Sequence, residues 1–295
     1  MLSLRLKWLH QAQFAGYYLA EDKGFYRAEG LEVEICSGGP DVDPEALVAS
    51  GEADFAQAGG TESLLAARAA GLPVVAIGAV FQRIDVAFVA RKEAGIATLS
   101  DFRGRVVSTW HTGVELILRA LLRQESVDPA SIVEVPQAES MQPFLRGEVA
   151  VAAATFFNQL PQLRGQGLTD LVVFDPADHG VVFPRDVIIT SEKMIAESAD
   201  VVQRFLRASL LGWKHAIAHQ GEAVAAALRR DPTLDADHQA VMMREVGKLM
   251  LRPQGVGHLE AAAVEAAHRF LLENGQIGSP VDLSRACTTR FWQPG

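Results

Sequence analysis

Residues 4–35 read LRLKWLHQAQFAGYYLAEDKGFYRAEGLEVEI, and this stretch decides the fold. Leu4, Leu6 and Trp8 alternate at period two, which predicts a strand. The polar and aromatic turn His10-Gln11-Ala12-Gln13-Phe14 follows, and Phe14, Tyr17, Tyr18 and Leu19 then fall at helical spacing up to Gly24. Leu31, Val33 and Ile35 return to period two. Strand, helix and strand in this order predict a βαβ unit with a right-handed crossover. Ligands meet such a unit at the carboxyl end of its first strand, so Trp8 to Phe14 is the first candidate site, with Tyr17 just behind it.

Beyond this stretch, the chain alternates strand and helix patterns to about residue 190 and is helical afterwards. Continuous apolar runs at Val74–Val80 and Val86–Ala90 suit buried parallel strands. Helices are expected at 43–50, from Thr61 to Ala69, at 114–124, and at 201–218, 221–229, 236–249 and 259–274. Asp186–Thr190 reads as a strand returning to the first part of the chain. This order predicts an α/β protein of two lobes about a cleft.

At 295 residues the chain can bury a large core, and 49% hydrophobic with 21% charged residues is a globular composition. A net charge of -9 provides no basic stripe for phosphates, so a nucleic-acid partner is not expected. No apolar run reaches bilayer length. Cys36 and Cys287 cannot build a CxxC metal site, and lone thiols of this kind are usually packed small residues.

The wording Lys23-Gly24-Phe25-Tyr26, followed by Glu29-Gly30-Leu31, resembles the opening of the NMT1/THI5-like branch of the type II solute-binding proteins. The resemblance implies the type II periplasmic-binding-protein fold, with residues 1–90 and 188–295 forming one lobe, residues 91–187 the other, and two hinge strands between them. It implies capture of a small-molecule ligand by hinge closure, with the permease of an ABC importer as partner. Thiamine-pyrimidine precursors, other heteroaromatics and sulfonates are the expected ligand range, and no cofactor is expected. Membrane contact would come only through the permease or a removed lipid or signal anchor. Met1–Arg5 runs straight into a strand without an apolar signal core. This start fits either a cytoplasmic protein or a form whose leader was cut away, and the resemblance implies a periplasmic or extracytoplasmic one.

The candidate ligand-binding residues lie in the loops that such a cleft would use. Trp8, Gln11, Gln13, Phe14 and Tyr17 come from the first unit, and Gly38 and Gly39 from a turn after the second strand. In Gly59-Gly60-Thr61 the glycines admit a close ligand or simply make the turn, and Thr61 is a candidate helix cap. Arg83 is a candidate for an anionic ligand. Thr109, Trp110, His111 and Thr112 precede a helix whose first amides are free for an anion or polar group. Phe156, Phe157 and Asn158 close a strand, and Asp186 opens the returning one. Flat aromatic walls with amides suit a neutral ring held by stacking and in-plane hydrogen bonds. His111, with no carboxylate or second histidine at ligand spacing, reads as a hydrogen-bonder rather than a base or metal ligand.

The same family contains pyrimidine synthases, the alternative reading, in which a Lys-x-x-x-His pair holds pyridoxal phosphate. Aligned on Gly71-Leu72-Pro73, that pair falls on Gly59 and Ser63 here, which can supply neither a Schiff base nor an imidazole. Two cysteines also leave no iron-binding motif. The expectation is a protein without catalytic or metal residues. The pyrimidine-binding members carry an asparagine with an aromatic or acidic neighbour near Phe156 to Gln159; here the acidic residue is absent and Gln159 stands nearby.

Overall fold

A computed structural model describes residues 1–251 and 253–293. These hold ten strands: β1 Leu2–Arg5, β2 Val33–Cys36, β3 Phe55–Gln57, β4 Val74–Phe81, β5 Val86–Arg91, β6 Val106–Thr109, β7 Val133–Pro136, β8 Val151–Thr155, β9 Leu171–Phe174 and β10 Arg185–Ser191. They form two five-stranded sheets, ordered β2-β1-β3-β10-β4 and β7-β6-β8-β5-β9. In the first, β1 is parallel to β2 and β3, and β10 is antiparallel to β3 and β4. In the second, β6 is parallel to β7 and β8, and β5 is antiparallel to β8 and β9. The antiparallel strand in each sheet is the first one laid down after the chain arrives from the other lobe.

The crossings are 82–85 and 175–184. β5 therefore lies in the second sheet, although a boundary at residue 90 assigns it to the first lobe. The apolar runs that read as parallel strands, β4 and β5, are buried along their lengths but pair antiparallel. A strand covered on both faces is apolar throughout whichever way it runs, so hydropathy fixes its burial and not its direction.

The opening βαβ unit forms as its pattern predicts, with Leu2 opposite Val33 and Leu4 opposite Ile35. Its first strand stops at Arg5 rather than at Trp8. Lys7 to Gln11 leave the sheet, and the Gly38 amide donates to the Trp8 carbonyl at 3.0 Å. A short 3-10 turn at Ala12–Phe14 leads into the helix Ala15–Asp22. That helix packs on Ala199–Ala218 through two glycines. A β-carbon on Gly16 would lie 2.1 Å from the Trp213 ring, and one on Gly212 would lie 2.1 Å from the Gly16 carbonyl oxygen. Around this crossing Phe14, Tyr17, Tyr18, Phe55, Phe205 and Trp213 form the core of the first lobe.

The helix Ala261–Glu273 contributes Ala267 and Leu271 to a cluster that joins Leu65 of the first lobe to the second lobe's interior. Cys36 and Cys287 are both free thiols. Among the described residues, no helix is long and apolar enough to cross a membrane.

Candidate functional site

The carboxyl ends of the parallel strands in both sheets face the cleft between the lobes, where two cavities open. The first encloses about 470 Å³, including space open to solvent. From the first lobe Lys7, Trp8, Gln11 and Gln13 line it, all delivered by the segment that leaves the sheet after β1. The loops after β6 and β8 supply Trp110, Thr112, Phe157, Asn158 and Gln159, the first crossing supplies Asp85, and β10 supplies its first residue, Arg185. The Trp8 and Trp110 rings meet edge to face, with centroids 6.4 Å apart and planes at 72°.

A buried charge network supports this wall. Asp186 is fully buried and accepts from Lys7, from Gln57 and, at 2.7 Å, from the Gln13 amide. Its backbone has φ of 51°, a left-handed conformation that aspartate tolerates better than most residues. Burial raises its carboxyl above the usual range although Lys7 opposes the shift. Arg185 pairs with Glu62, and its Nε lies 2.6 Å from Asp85 Oδ1. That second contact brings opposite charges together without the alignment of a hydrogen bond, since both Asp85 oxygens and Arg185 Nε lack a hydrogen-bond partner. Burial works against the Arg185 charge, yet Glu62, Asp85 and Asp186 together hold its pKa above the ordinary value. Burial likewise raises Glu62, against the pull of Arg185. Two cations thus face three carboxylates, and Asp85, only 1% exposed, lines the cavity with Oδ1 against Arg185 Nε and Oδ2 without a hydrogen-bond partner. Trp110 Nε1 is a second polar atom there without a partner.

The lobes are closed on each other. Asn158 of the second lobe lies 2.8 Å from His238 Nε2, on the helix Ala236–Met250 of the first, and 3.5 Å from Gln11 Oε1. On the other side Gly59 packs against the loop at Thr112. Beyond that contact lies the second cavity, which shares Lys7 and Thr112 with the first and adds Glu45, Gly59, Ser63 and His111.

Of the sequence candidates, Trp8, Gln11, Gln13, Trp110, Thr112, Phe157 and Asn158 line the first cavity, and Gly59 and His111 line the second. His111 pairs with Glu134 at 3.1 Å. The other candidates line neither cavity. Phe14 and Tyr17 face the first lobe's core, Tyr17 against Trp213, because the helix turns their side of the βαβ unit inward. Gly38 admits the close approach of the Leu6 carbonyl and Gly39 neighbours it, so this turn shapes the Trp8 segment instead of touching the cavity. Gly60, not Thr61, caps the helix Thr61–Ala69, and the Thr61 hydroxyl donates to the Pro184 carbonyl at 2.7 Å. Arg83 is exposed. Thr109 is buried in its strand, and Phe156 packs beside the second lobe's core. Asp186 acts from behind, through Lys7 and Gln13. Amides expected to be free at the helix Val114–Gln124 are already engaged: the Gly113 amide donates to Glu115 Oε2 at 2.9 Å, the Glu115 amide to the Trp110 carbonyl and the Leu116 amide to the Gly113 carbonyl.

Sequence reasoning missed Lys7, Asp85, Thr155 and Arg185. The signal was present for two of them, because Asp85 and Arg185 are charges set within otherwise apolar runs at the points where the chain changes lobe. The potential metal ligands His215, His219 and Glu222 cluster on the outer helices and line neither cavity.

A family model described as NMT1/THI5 like matches residues 11–223. The chain belongs to this family. It is 29% identical over 308 residues to the riboflavin-binding protein RibY of Chloroflexus aurantiacus, covering 98% of this chain and 85% of that one. It is 27% identical over 231 residues to a formylaminopyrimidine-binding protein of Halalkalibacterium halodurans, covering 76% of this chain and 68% of the other. Among solved structures, the periplasmic aliphatic sulphonate-binding protein SsuA of Escherichia coli superposes with a TM-score of 0.73 at 16% identity, over 100% of this chain and 92% of that one. The NMT1/THI5-like chain thus has the periplasmic-binding-protein fold.

Proposed function

We propose that this protein is the solute-binding component of an ABC importer and captures a neutral planar heteroaromatic solute between its lobes. The observation that carries this reading is the first cavity, where Trp8 and Trp110 converge from opposite lobes beside Asp85, whose Oδ2 has no hydrogen-bond partner, and the unpartnered Trp110 Nε1. A flat ring stacks on an indole, its N–H groups donate to Asp85, and its carbonyl or ring nitrogen accepts from Trp110 or from the amides of Gln11 and Asn158. Lys7 and Arg185 are already held by carboxylates, which favours such a ring over a sulfonate. The likeness to proteins named for riboflavin and formylaminopyrimidine binding points to the same solute class.

Capture proceeds by hinge motion at 82–85 and 175–184, and closure is stabilised by contacts from both lobes. In this reading the permease meets the closed shape outside the cytoplasm, a location that the likeness to periplasmic binding proteins supports. The reading is binding without turnover. At the synthase lysine position Gly59 has no side chain, and its neighbour's carbonyl leaves no room for one; Ser63 at the histidine position accepts from the Gly60 amide.

The test is a thermal-shift panel of the purified protein with riboflavin, formylaminopyrimidine, hydroxymethylpyrimidine, an alkanesulfonate and nitrate. A ligand specific to the folded state at a hundredfold excess over Kd adds about 2.7 kcal/mol of stability, so a ring compound should raise the melting temperature clearly. A shift with the sulfonate alone, or conversion of a ring compound to product, would overturn the proposal.

A further inference from the structure

The helices Ala199–Ala218 and Gln220–Arg230 meet at an elbow in the first lobe, away from the cleft. His219 is its corner residue, at φ of -129° and ψ of 61°, outside helical geometry. The His219 amide still donates to the His215 carbonyl at 2.8 Å, and its carbonyl accepts from the Glu222 amide at 3.0 Å. A straight helix would set residues 215 and 222 about 10 Å apart along its axis. The elbow instead brings Glu222 Oε2 to 3.1 Å from His215 Nε2. The His215 and His219 rings lie face to face at a tilt, with centroids 4.2 Å apart.

One nitrogen from each imidazole and one Glu222 oxygen thus lie within 4.8 Å of one another. Two imidazoles and a carboxylate suit zinc, nickel or copper, whereas magnesium and calcium take shells of oxygen. Zinc bonds of about 2.0–2.2 Å place tetrahedral ligands about 3.4 Å apart, so these side chains need to close by no more than about 1.4 Å. The His215 ring is partly buried and sits edge to face on Phe25, with centroids 6.3 Å apart, which limits the orientations it can take. Glu222 is ionised, because the Lys23 ammonium, 2.5 Å away, and then His215 hold its carboxyl down to about 2. Lys23 is the competitor for that carboxylate. Both partners are more than a third exposed, and an exposed ion pair is worth little, so a divalent ion held by two imidazoles can displace the ammonium.

We infer that His215, His219 and Glu222 form a three-donor transition-metal site, with zinc as the metal and water in the fourth position. The ion ties the end of one helix to the start of the next. Its three ligands line neither cavity and all belong to the first lobe, so it braces that lobe and does not touch the captured solute. The site is independent of the ring-binding reading.

The experiment is titration calorimetry of zinc chloride into the full chain, freed of any affinity tag and stripped with a chelator, with melting temperatures recorded alongside. One equivalent should bind, and zinc should raise the melting temperature by mass action. Removing even a group that supports a metal ligand typically costs about 10–100-fold, so His219→Ala and Glu222→Gln should each weaken zinc at least about tenfold. Both positions are exposed, and if one variant folds poorly by circular dichroism the other carries the test. Lys23→Met should tighten zinc a few-fold, because Glu222 loses its competitor; an ion pair with a purely structural role would not move zinc affinity in that direction. His179→Ala, which removes a separate histidine–carboxylate pair with Glu125, should leave zinc binding unchanged.

No saturable zinc binding, or the wild-type affinity in both His219→Ala and Glu222→Gln, would overturn the site. Loss of zinc binding in His179→Ala would place the ion elsewhere and overturn it as well.

Discussion

Gly59 of the first lobe packs against the carbonyl oxygen of Thr112 in the second so closely that a β-carbon on Gly59 would lie 2.3 Å from that oxygen. A β-carbon on the neighbouring Gly113, at φ of 102°, would lie 2.8 Å from the Glu62 side chain of the first lobe. At Gly59 the closed lobes touch backbone to backbone, and at Gly113 backbone meets side chain.

A methyl group at residue 59 should therefore oppose closure and leave each lobe intact. Overpacking typically costs about 1–3 kcal/mol, so Gly59→Ala should weaken ligand binding by roughly 5- to 150-fold. The free protein can relieve the clash by opening, so its melting temperature should change little. Small-angle scattering with and without ligand checks the mechanism. Compaction of the variant at wild-type ligand concentrations would contradict it.

Asp85 predicts a chemical signature. A hydrogen bond to a charged group is worth about 1.5–3 kcal/mol, so Asp85→Asn should reduce affinity for a ring bearing N–H groups by roughly 10- to 150-fold. Methylating the ring nitrogen should cost the wild type a similar factor and cost the variant almost nothing further, because the two changes remove the same contact. The cluster of two cations and three carboxylates loses a charge in this variant, so the fold should be retained. Additive losses from the two changes would remove Asp85 from the ligand contact.

Glu45 predicts a pH dependence. Its folded carboxyl titrates near 7 against an ordinary value of 4.5, because burial penalises the anion. The folded state therefore holds a proton that the unfolded chain has released. The stabilising contribution is full below about 4.5 and is lost as the pH rises through about 7, with a magnitude on the order of 3 kcal/mol. Glu45→Gln cannot titrate, so the difference in melting temperature between variant and wild type should grow between pH 5 and 8 in favour of the variant. A constant difference across that range would show that Glu45 is not the titrating group.

The order of elements was legible because local chemistry writes it: alternation at Leu4 and Leu6, helical spacing at Tyr17 and Tyr18, and stops at Gly24 and Gly51. Aromatic and amide residues beside strand ends, among them Trp8, Trp110 and Asn158, were legible as site residues by the same rule. Phe14 and Tyr17 read as equally good candidates, since a sequence states that a residue is aromatic and near a turn but not which way its helix faces.

The sequence by itself determined the two α/β lobes, the family and part of the lining of the cleft, the aromatic and amide residues that follow parallel strands. Hydrophobic periodicity and turn chemistry act over a few residues, and those survive in a linear reading. Only the tertiary structure decided that β4 and β5 pair antiparallel with their neighbours, that Asp85 and Arg185, a hundred residues apart, come together where the chain changes lobe, and that Glu115 already accepts from the Gly113 amide at the helix start offered to an anion. Strand direction and charge pairing depend on which distant segments share a buried volume. In that low-dielectric space the count of carboxylates against cations, not the presence of an arginine, sets what the cleft can bind.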